Sequence, residues 1–260
     1  LVLRAGGRLS HISAYAPRDE ESGTLGIDRT WTPLVGNLGL EWWANEWLTL
    51  LANADQGFRA PNLDDLTSRQ RTGPGFQIEN ADLEPEHGVT LEVGARVATP
   101  RVEVDAWAYR ATLEDAIMRT TRDVDACPPN TPECRTTWSR LQLVNLPGAA
   151  VIWGSEGSLK LNLPQNVSLQ STLSWAWGEG PRPLYQADDA NRTDEERVPI
   201  SRIPPLNGTV EALWRNTRGL YVGASLRWAR TQDRLALSDI SDERIPLGGT
   251  PGFAVFDARA

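Results

Sequence analysis

Cys127 and Cys134 stand close together in Cys127-Pro128-Pro129-Asn130-Thr131-Pro132-Glu133-Cys134. Two such thiols can ligate a metal or close a disulfide. A structural zinc site takes four nitrogen or sulfur ligands, and the two histidines, His11 and His87, lie far off in the sequence. A local disulfide clamping a Pro-rich loop is the expectation, and it implies an oxidising compartment. A pair of free thiols is the alternative. Asp188, Asp189 and Asp194, beside Glu195 and Glu196, are calcium candidates, since carboxylate oxygens suit that ion. Arg192 and Arg197 are interleaved with them, which favours a solvated loop. The chain has no H-E-x-x-H and no phosphate-binding glycine loop, and Gly154-Ser155-Glu156-Gly157 is not a nucleophile elbow. Neither bond-making chemistry nor a cofactor is expected.

The elements that carry these residues must suit an acidic chain of 260 residues with net charge −8. That charge argues against a nucleic-acid binder, whose footprint is a basic patch. Lys160 is the single lysine, and there are 11 tryptophans. No apolar run is long enough for a transmembrane helix. The opening Leu1-Val2-Leu3-Arg4 is strand-like and has no signal-peptide features, as in a processed chain or an internal fragment.

Period-two alternation, the mark of strands with one apolar and one polar face, recurs throughout. Strands are expected at residues 1–13, 32–43, 47–58, 88–98, 102–117, within 141–163, and at 167–177, 206–214, 220–228 and from 252. Leu91, Val93, Ala95 and Val97 oppose Thr90, Glu92 and Arg96, and Leu169, Leu173, Trp175 and Trp177 oppose Gln170, Thr172 and Ser174. Connections alternate between short (near 45, 100, 165 and 217) and long (near 22, 72, 128, 190 and 240). An up-and-down meander gathers the short turns at one end and the long loops at the other. An outer-membrane β-barrel has this pattern, with an apolar outer face, a polar lumen and strands of about 9–11 residues. Tryptophans such as Trp42, Trp43, Trp47 and Trp214 near short turns, and Trp175, Trp177 and Trp228 toward long loops, fit the interfacial belts. A soluble β-sandwich also alternates, but its strands are nearer about six residues. Arg4, Arg8 and Arg227 fall on the polar face, either to attract an anionic ligand or to pair with Glu41, Glu92 and Glu156.

The overlong connection near residue 72 carries the most specific signal. Gly57-Phe58-Arg59-Ala60-Pro61-Asn62-Leu63, then Asn80-Ala81-Asp82-Leu83-Glu84-Pro85-Glu86 and Glu92-Val93-Gly94, resemble the central barrel signature of TonB-dependent outer-membrane receptors. Further segments match in family order: Leu113-Glu114-Asp115-Ala116-Ile117, then Asn145 with Ala150, Ile152, Gly154 and Glu156, then Ile203-Pro204-Pro205, then Thr250-Pro251-Gly252-Phe253. The resemblance covers essentially the whole chain. Asn80-Ala81 departs from the usual Asn-Pro, and the histidine that haem receptors carry between the two central motifs is absent between Phe58 and Leu83.

The resemblance implies an all-β transmembrane antiparallel barrel, with residues 1–260 supplying about ten consecutive strands of a barrel of about 22. The plug domain and the last strands of the family pattern are then missing. It implies an outer-membrane location, lipid around the wall, and no nucleic-acid partner. It also implies energy-dependent uptake of a scarce, bulky ligand such as a ferric siderophore, driven by the TonB–ExbB–ExbD complex acting through the N-terminal region. A passive porin-like channel and a soluble β-rich binding module are the alternatives. On this reading Phe58, Arg59, Ala60, Pro61, Asn62, Asn80, Leu83, Pro85, Glu86, Glu92, Gly94, Gly154 and Glu156 are structural anchors. Arg69, Arg71, Phe76 and Gln77, in the variable stretch 67–79, are the expected ligand contacts.

Overall fold

A computed structural model describes residues 1–20, 23–73, 75–182, 196–240 and 242–260. Its dominant element is one antiparallel sheet. Along it, in chain order, run β1 (Val2–Leu9), β2 (Leu34–Trp43), β3 (Leu48–Arg59), β4 (Glu86–Ala98), β5 (Val102–Glu114), β6 (Ala150–Leu163), β7 (Val167–Pro181), β8 (Asn207–Arg215), β9 (Tyr221–Ala229) and β10 (Phe253–Arg259). Each pairs with its sequence neighbours, so the sheet is a simple meander. The short strand Arg197–Pro199 adds to the far end of β7. β1 and β10 are the two edges, and neither pairs on its outer side among the described residues.

Residues opposite each other in register share a face, which makes the two faces of the wall easy to follow. One face carries Asn53, Glu92, Tyr109 and Gly154 in one row and Gly94, Trp107, Glu156, Ser174 and Asn207 in the next. It is laced by ion pairs: Arg4–Glu41 at 3.4 Å, Arg96–Asp105 at 2.7 Å, Lys160–Glu103 at 2.9 Å and Arg259–Glu211 at 2.5 Å. The other face carries Ala52, Val93, Ala108, Ser155 and Trp175 in one row and Leu50, Ala95, Ala106, Gly157 and Leu173 in the next. Many of its large side chains have nothing to pack against: Leu3 is 64% exposed, Val93 60% and Phe256 71%. An apolar face this extensive is foreign to a soluble monomer and suits lipid.

Trp214 lies opposite Val167, and Trp177 follows ten residues farther along β7. At about 3.3 Å per residue and a barrel-like tilt of about 40°, the two tryptophan levels would stand roughly 25 Å apart in height, which matches the apolar band of membrane barrels. The short turns fit the same scheme. Between β6 and β7, Gln165 and Asn166 adopt φ of 62° and 60°, the left-handed pair that twists a tight hairpin correctly.

Sequence alternation matched the wall strands within a few residues, but it ran past their ends. β1 stops at Leu9 and β5 at Glu114, where 13 and 117 were expected. The segment expected within 141–163 is two strands, Arg140–Asn145 and β6. The surplus residues build the loops. Ile12–Ala16 pairs with Ile27–Trp31 in a hairpin. Ile117–Thr121, Arg140–Asn145, Gly75–Ile78 and Gln70–Thr72 form a separate four-stranded sheet with one parallel pairing. The buried core of the molecule sits in these loops, not in the wall. One cluster is Ala14, Ile27, Trp31, Leu66, Leu83 and Ile117, and the other is Phe76, Ile78, Cys127 and Cys134. The four-stranded sheet lies between them, with Ile117 and Leu143 serving the first cluster and Phe76 and Ile78 the second.

Candidate functional site at the long-loop end of the wall

The signature residues meet where β3 and β4 leave the wall. The Arg59 guanidinium spans two carboxylates, Asp65 at 2.8 Å and Glu86. The other oxygen of Glu86 accepts the Ile117 N–H at 2.7 Å, which ties the loop after β5 to the base of β4. Asn62 caps the short helix α1 (Leu63–Thr67): its side chain accepts from Asp65 N–H at 2.8 Å, and the Asp65 carboxylate accepts from Asn62 N–H at 3.1 Å. This is the reciprocal capping box. Pro61 and Pro85 are buried, Ala60 packs on the first core cluster, and Leu83 is fully buried within it. Asn80 donates to Leu143 O at 2.8 Å. Asn145 donates to Glu84 O at 2.9 Å and Asp115 O at 2.8 Å, and accepts from Glu84 N–H at 2.9 Å. Side chains from two loops, one between β3 and β4 and one between β5 and β6, thus satisfy each other's backbone groups. Phe58 is held separately, beneath the Arg8 guanidinium at 5.4 Å.

Two participants in this junction, Arg29 and Trp31, have no counterpart among the residues singled out in the sequence, and their partner Glu84 lies inside the Asn80–Glu86 motif. Arg29 binds the Glu84 carboxylate and donates to Ala81 O at 3.2 Å, and the Trp31 indole donates to Glu84 at 3.3 Å. Together they dock the hairpin of residues 12–31 on the Asn80–Glu84 turn. Nothing local in the sequence marks this contact. Asp65 was findable, because Asn62-x-x-Asp65 reads as a helix start.

The four residues expected to meet ligand separate sharply. Phe76 and Gln77 are 4% and 3% exposed, with Phe76 against the disulfide. The Arg69 side chain is 5% exposed, lies 3.7 Å from Glu79, and donates to Pro129 O at 2.8 Å. Arg71 alone of the four is exposed. Residues 75–79 therefore belong to the loops' own core, with Gly75–Ile78 covered on both faces. Asp188, Asp189 and Asp194 lie outside the described residues. No group of metal-ligating side chains occurs among the described ones.

Cys127 and Cys134 are bonded, with Cα atoms 5.8 Å apart. Closing so short a loop stabilises the folded form by about 2.5 kcal/mol in the chain-entropy account. Reduction is expected to expose residues 122–140 to protease while the wall stays intact, and a digest with and without reductant followed by mass spectrometry checks this.

Glu79 is buried beside Arg69, and burial raises its pKa above the usual carboxylate value, with Arg69 opposing the shift. A carboxyl raised on folding favours the folded loops below its unfolded pKa, and this contribution is lost as pH rises through the folded one. Amide exchange in residues 75–79 is expected to slow, relative to the intrinsic rate, as pH falls from neutral toward that of a free carboxylate. Glu79→Gln should flatten the dependence.

Beneath these loops, on the polar face, lies a cavity of about 440 Å³. Thr90, Ala111 and Ile152 supply its wall side, and Met118, Leu146 and Ile200 come from the loops above. The chamber is mostly apolar, with a few hydroxyls. Lower on the same face stand Glu92 and Glu156, which accept from Asn53 at 3.3 Å and Ser174 at 3.5 Å, and which have no cation partner among the described residues.

A sheet with one apolar face, one polar face, tryptophans at two levels and a folded loop cap at one end has the make-up of a β-barrel wall. The chain belongs to the TonB dependent receptor-like β-barrel family, whose model matches residues 1–260. Members of this family are receptors and transporters, not enzymes. A stretch of 100 residues is 32% identical to the vitamin B12 transporter BtuB of Vibrio vulnificus (strain YJ016), covering 38% of this chain and 14% of that protein. The copper transporter OprC shares the fold at TM-score 0.69 and 20% identity, over 98% of this chain and 36% of that one. The FrpB iron transporter from Neisseria meningitidis shares it at TM-score 0.66 and 14% identity, over 98% and 35%. The chain therefore spans about a third of the length of these two solved structures.

Proposed function

We propose that this chain forms part of the wall and loop cap of an outer-membrane receptor that captures a scarce, bulky ligand. Uptake then draws energy from the TonB–ExbB–ExbD complex, engaged through a plug-bearing region such as the family carries. Further wall strands would pair with the free edges at β1 and β10, since lipid tolerates no open sheet edge. The observation that carries this reading is the polar-face cavity roofed by loops with their own buried, cross-linked core. A passive channel has no need of such a roof. Siting function in loops held by a rigid scaffold is the usual arrangement.

A ferric siderophore is the ligand class this reading favours, with the exposed Arg71 offering a cation to an anionic chelate. The local identity to a vitamin B12 transporter supports a corrinoid as the second reading. The test is a titration of the purified protein with ferric hydroxamate and ferric catecholate siderophores and with cyanocobalamin, followed by tryptophan fluorescence. One class is expected to bind with submicromolar affinity. Ile152→Trp, which fills the cavity from the wall side, should weaken that binding at least tenfold. Absence of binding across the panel, or an unchanged affinity in Ile152→Trp, would sink the assignment.

A further inference from the structure

Register places Arg110, Trp153 and Trp177 side by side on the apolar face of β5, β6 and β7. They stand where the band turns polar, for the next row outward holds Gln56, Val89, Thr112, Val151 and Glu179. The Arg110 guanidinium lies 5.2 Å from the Trp153 ring centroid, and the Arg234 guanidinium lies 4.4 Å from that of Trp177. The row thus runs cation, indole, indole across three strands, with Arg234 stacked on the last indole.

Beside it the wall opens. β7 pairs with β8 only from Val167 to Ser174. The segment that would continue β8 is Ile203-Pro204-Pro205-Leu206, and prolines have no N–H to donate to a ladder. The result is a notch of about 700 Å³, whose lining includes Trp175 and Trp177 on one side and Arg230, Gln232 and Arg234 on the other. Register puts Trp175, Trp177 and Arg230 on the apolar face, Arg230 through its N–H bond to Leu206 O at 2.8 Å. Among the described residues no carboxylate forms an ion pair with Arg110, Arg230 or Arg234, although Asp233 also lines the notch.

An arginine facing lipid is costly at the midplane and tolerated at the interface, where headgroups and water reach it. Three arginines gathered at this level, none ion-paired among the described residues, offer a site for an anion at that depth. Lipid phosphates lie there, and the guanidinium fork matches their geometry. We propose that this notch binds the phosphorylated headgroup of an outer-leaflet lipid between Arg230 and Arg234, with Arg110 as a further contact. The acyl chains then run along Leu173, Trp175 and Leu226 on the apolar face. The proposal rests on the membrane-spanning reading above.

The test uses protein extracted from the outer-membrane fraction into zwitterionic detergent and offered bisphosphorylated lipid A or its dephosphorylated form, with binding read by native mass spectrometry. The phosphorylated lipid should bind at least tenfold more tightly, and inorganic phosphate should not displace it. Arg230→Gln/Arg234→Gln should lose that preference while keeping the heat-modifiable gel mobility of a folded barrel, and Arg122→Gln in the loops should behave as wild type. Equal binding of the two lipids, full displacement by inorganic phosphate, or wild-type behaviour of the folded double variant would overturn the proposal. Absence of the protein from the outer-membrane fraction would overturn the membrane reading itself.

Discussion

Substituting Gly94 by alanine should destabilise the wall by about 2 kcal/mol, and by valine more, in the range expected of overpacked sites. Gly94 on β4 faces Trp107 on β5, and the indole lies across the bare backbone: a Cβ at residue 94 would stand 2.6 Å from the ring. Gly154 repeats the arrangement under Tyr109. This gives the Glu-x-Gly and Gly-x-Glu segments a physical meaning. The glycines make room for aromatic side chains that brace neighbouring strands on the polar face, as aromatics do over sheet glycines elsewhere. Unfolding in detergent, followed by loss of heat-modifiable gel mobility against urea, measures the effect. Trp107→Ala in the Gly94→Ala background should recover about 1 kcal/mol or more through coupling of the two sites. Simple additivity would remove the packing explanation.

The second large effect is expected at Glu86. Its side chain is 12% exposed and holds Arg59 with one oxygen and the Ile117 N–H with the other. Hydrogen bonds to charged groups contribute about 1.5–3 kcal/mol each, so Glu86→Ala should loosen the loop cap by about 3 kcal/mol. At about 1.4 kcal/mol per factor of ten, amide exchange in Ile117–Thr121 should quicken by more than a hundredfold. Amides of the β6–β7 pair should keep their wild-type rates. Glu86→Gln can still accept from Ile117 but forfeits the ion pair, so it should fall between. Ligand affinity should follow the same order, because Met118 and Leu146 reach the cavity from this loop. Uniform acceleration through the wall would instead mean that Glu86 supports the barrel and not the cap.

The wall was legible because each strand buries or exposes one side consistently. A slip of one residue would turn Val93 and Leu91 to the polar face and Glu92 to the apolar one. The alternation of short and long connections likewise gathered the long loops, with their own small sheets, at one end. The cap was not legible for the opposite reason. Gly75–Ile78 is buried on both faces, so it shows no alternation, and Phe76 and Gln77 read as loop residues free to meet ligand. Their burial depends on parallel pairing with Arg140–Gln142 and on the disulfide, neither of which local sequence discloses. The cavity shares this difficulty, since Thr90, Ile152 and Ile200 come together only through the meander. Arg59, Asn62, Asn80 and Glu86 were singled out through family resemblance alone, and each makes side-chain hydrogen bonds at the loop junction.

Energised uptake is the property that separates a TonB-driven receptor from a passive channel. Accumulation of the ligand selected by the binding panel, measured in cells with and without TonB, tests it directly. Surface binding should persist in both strains, and internal accumulation should cease without TonB. Accumulation at the same rate in both would contradict a TonB-driven receptor and identify a passive channel.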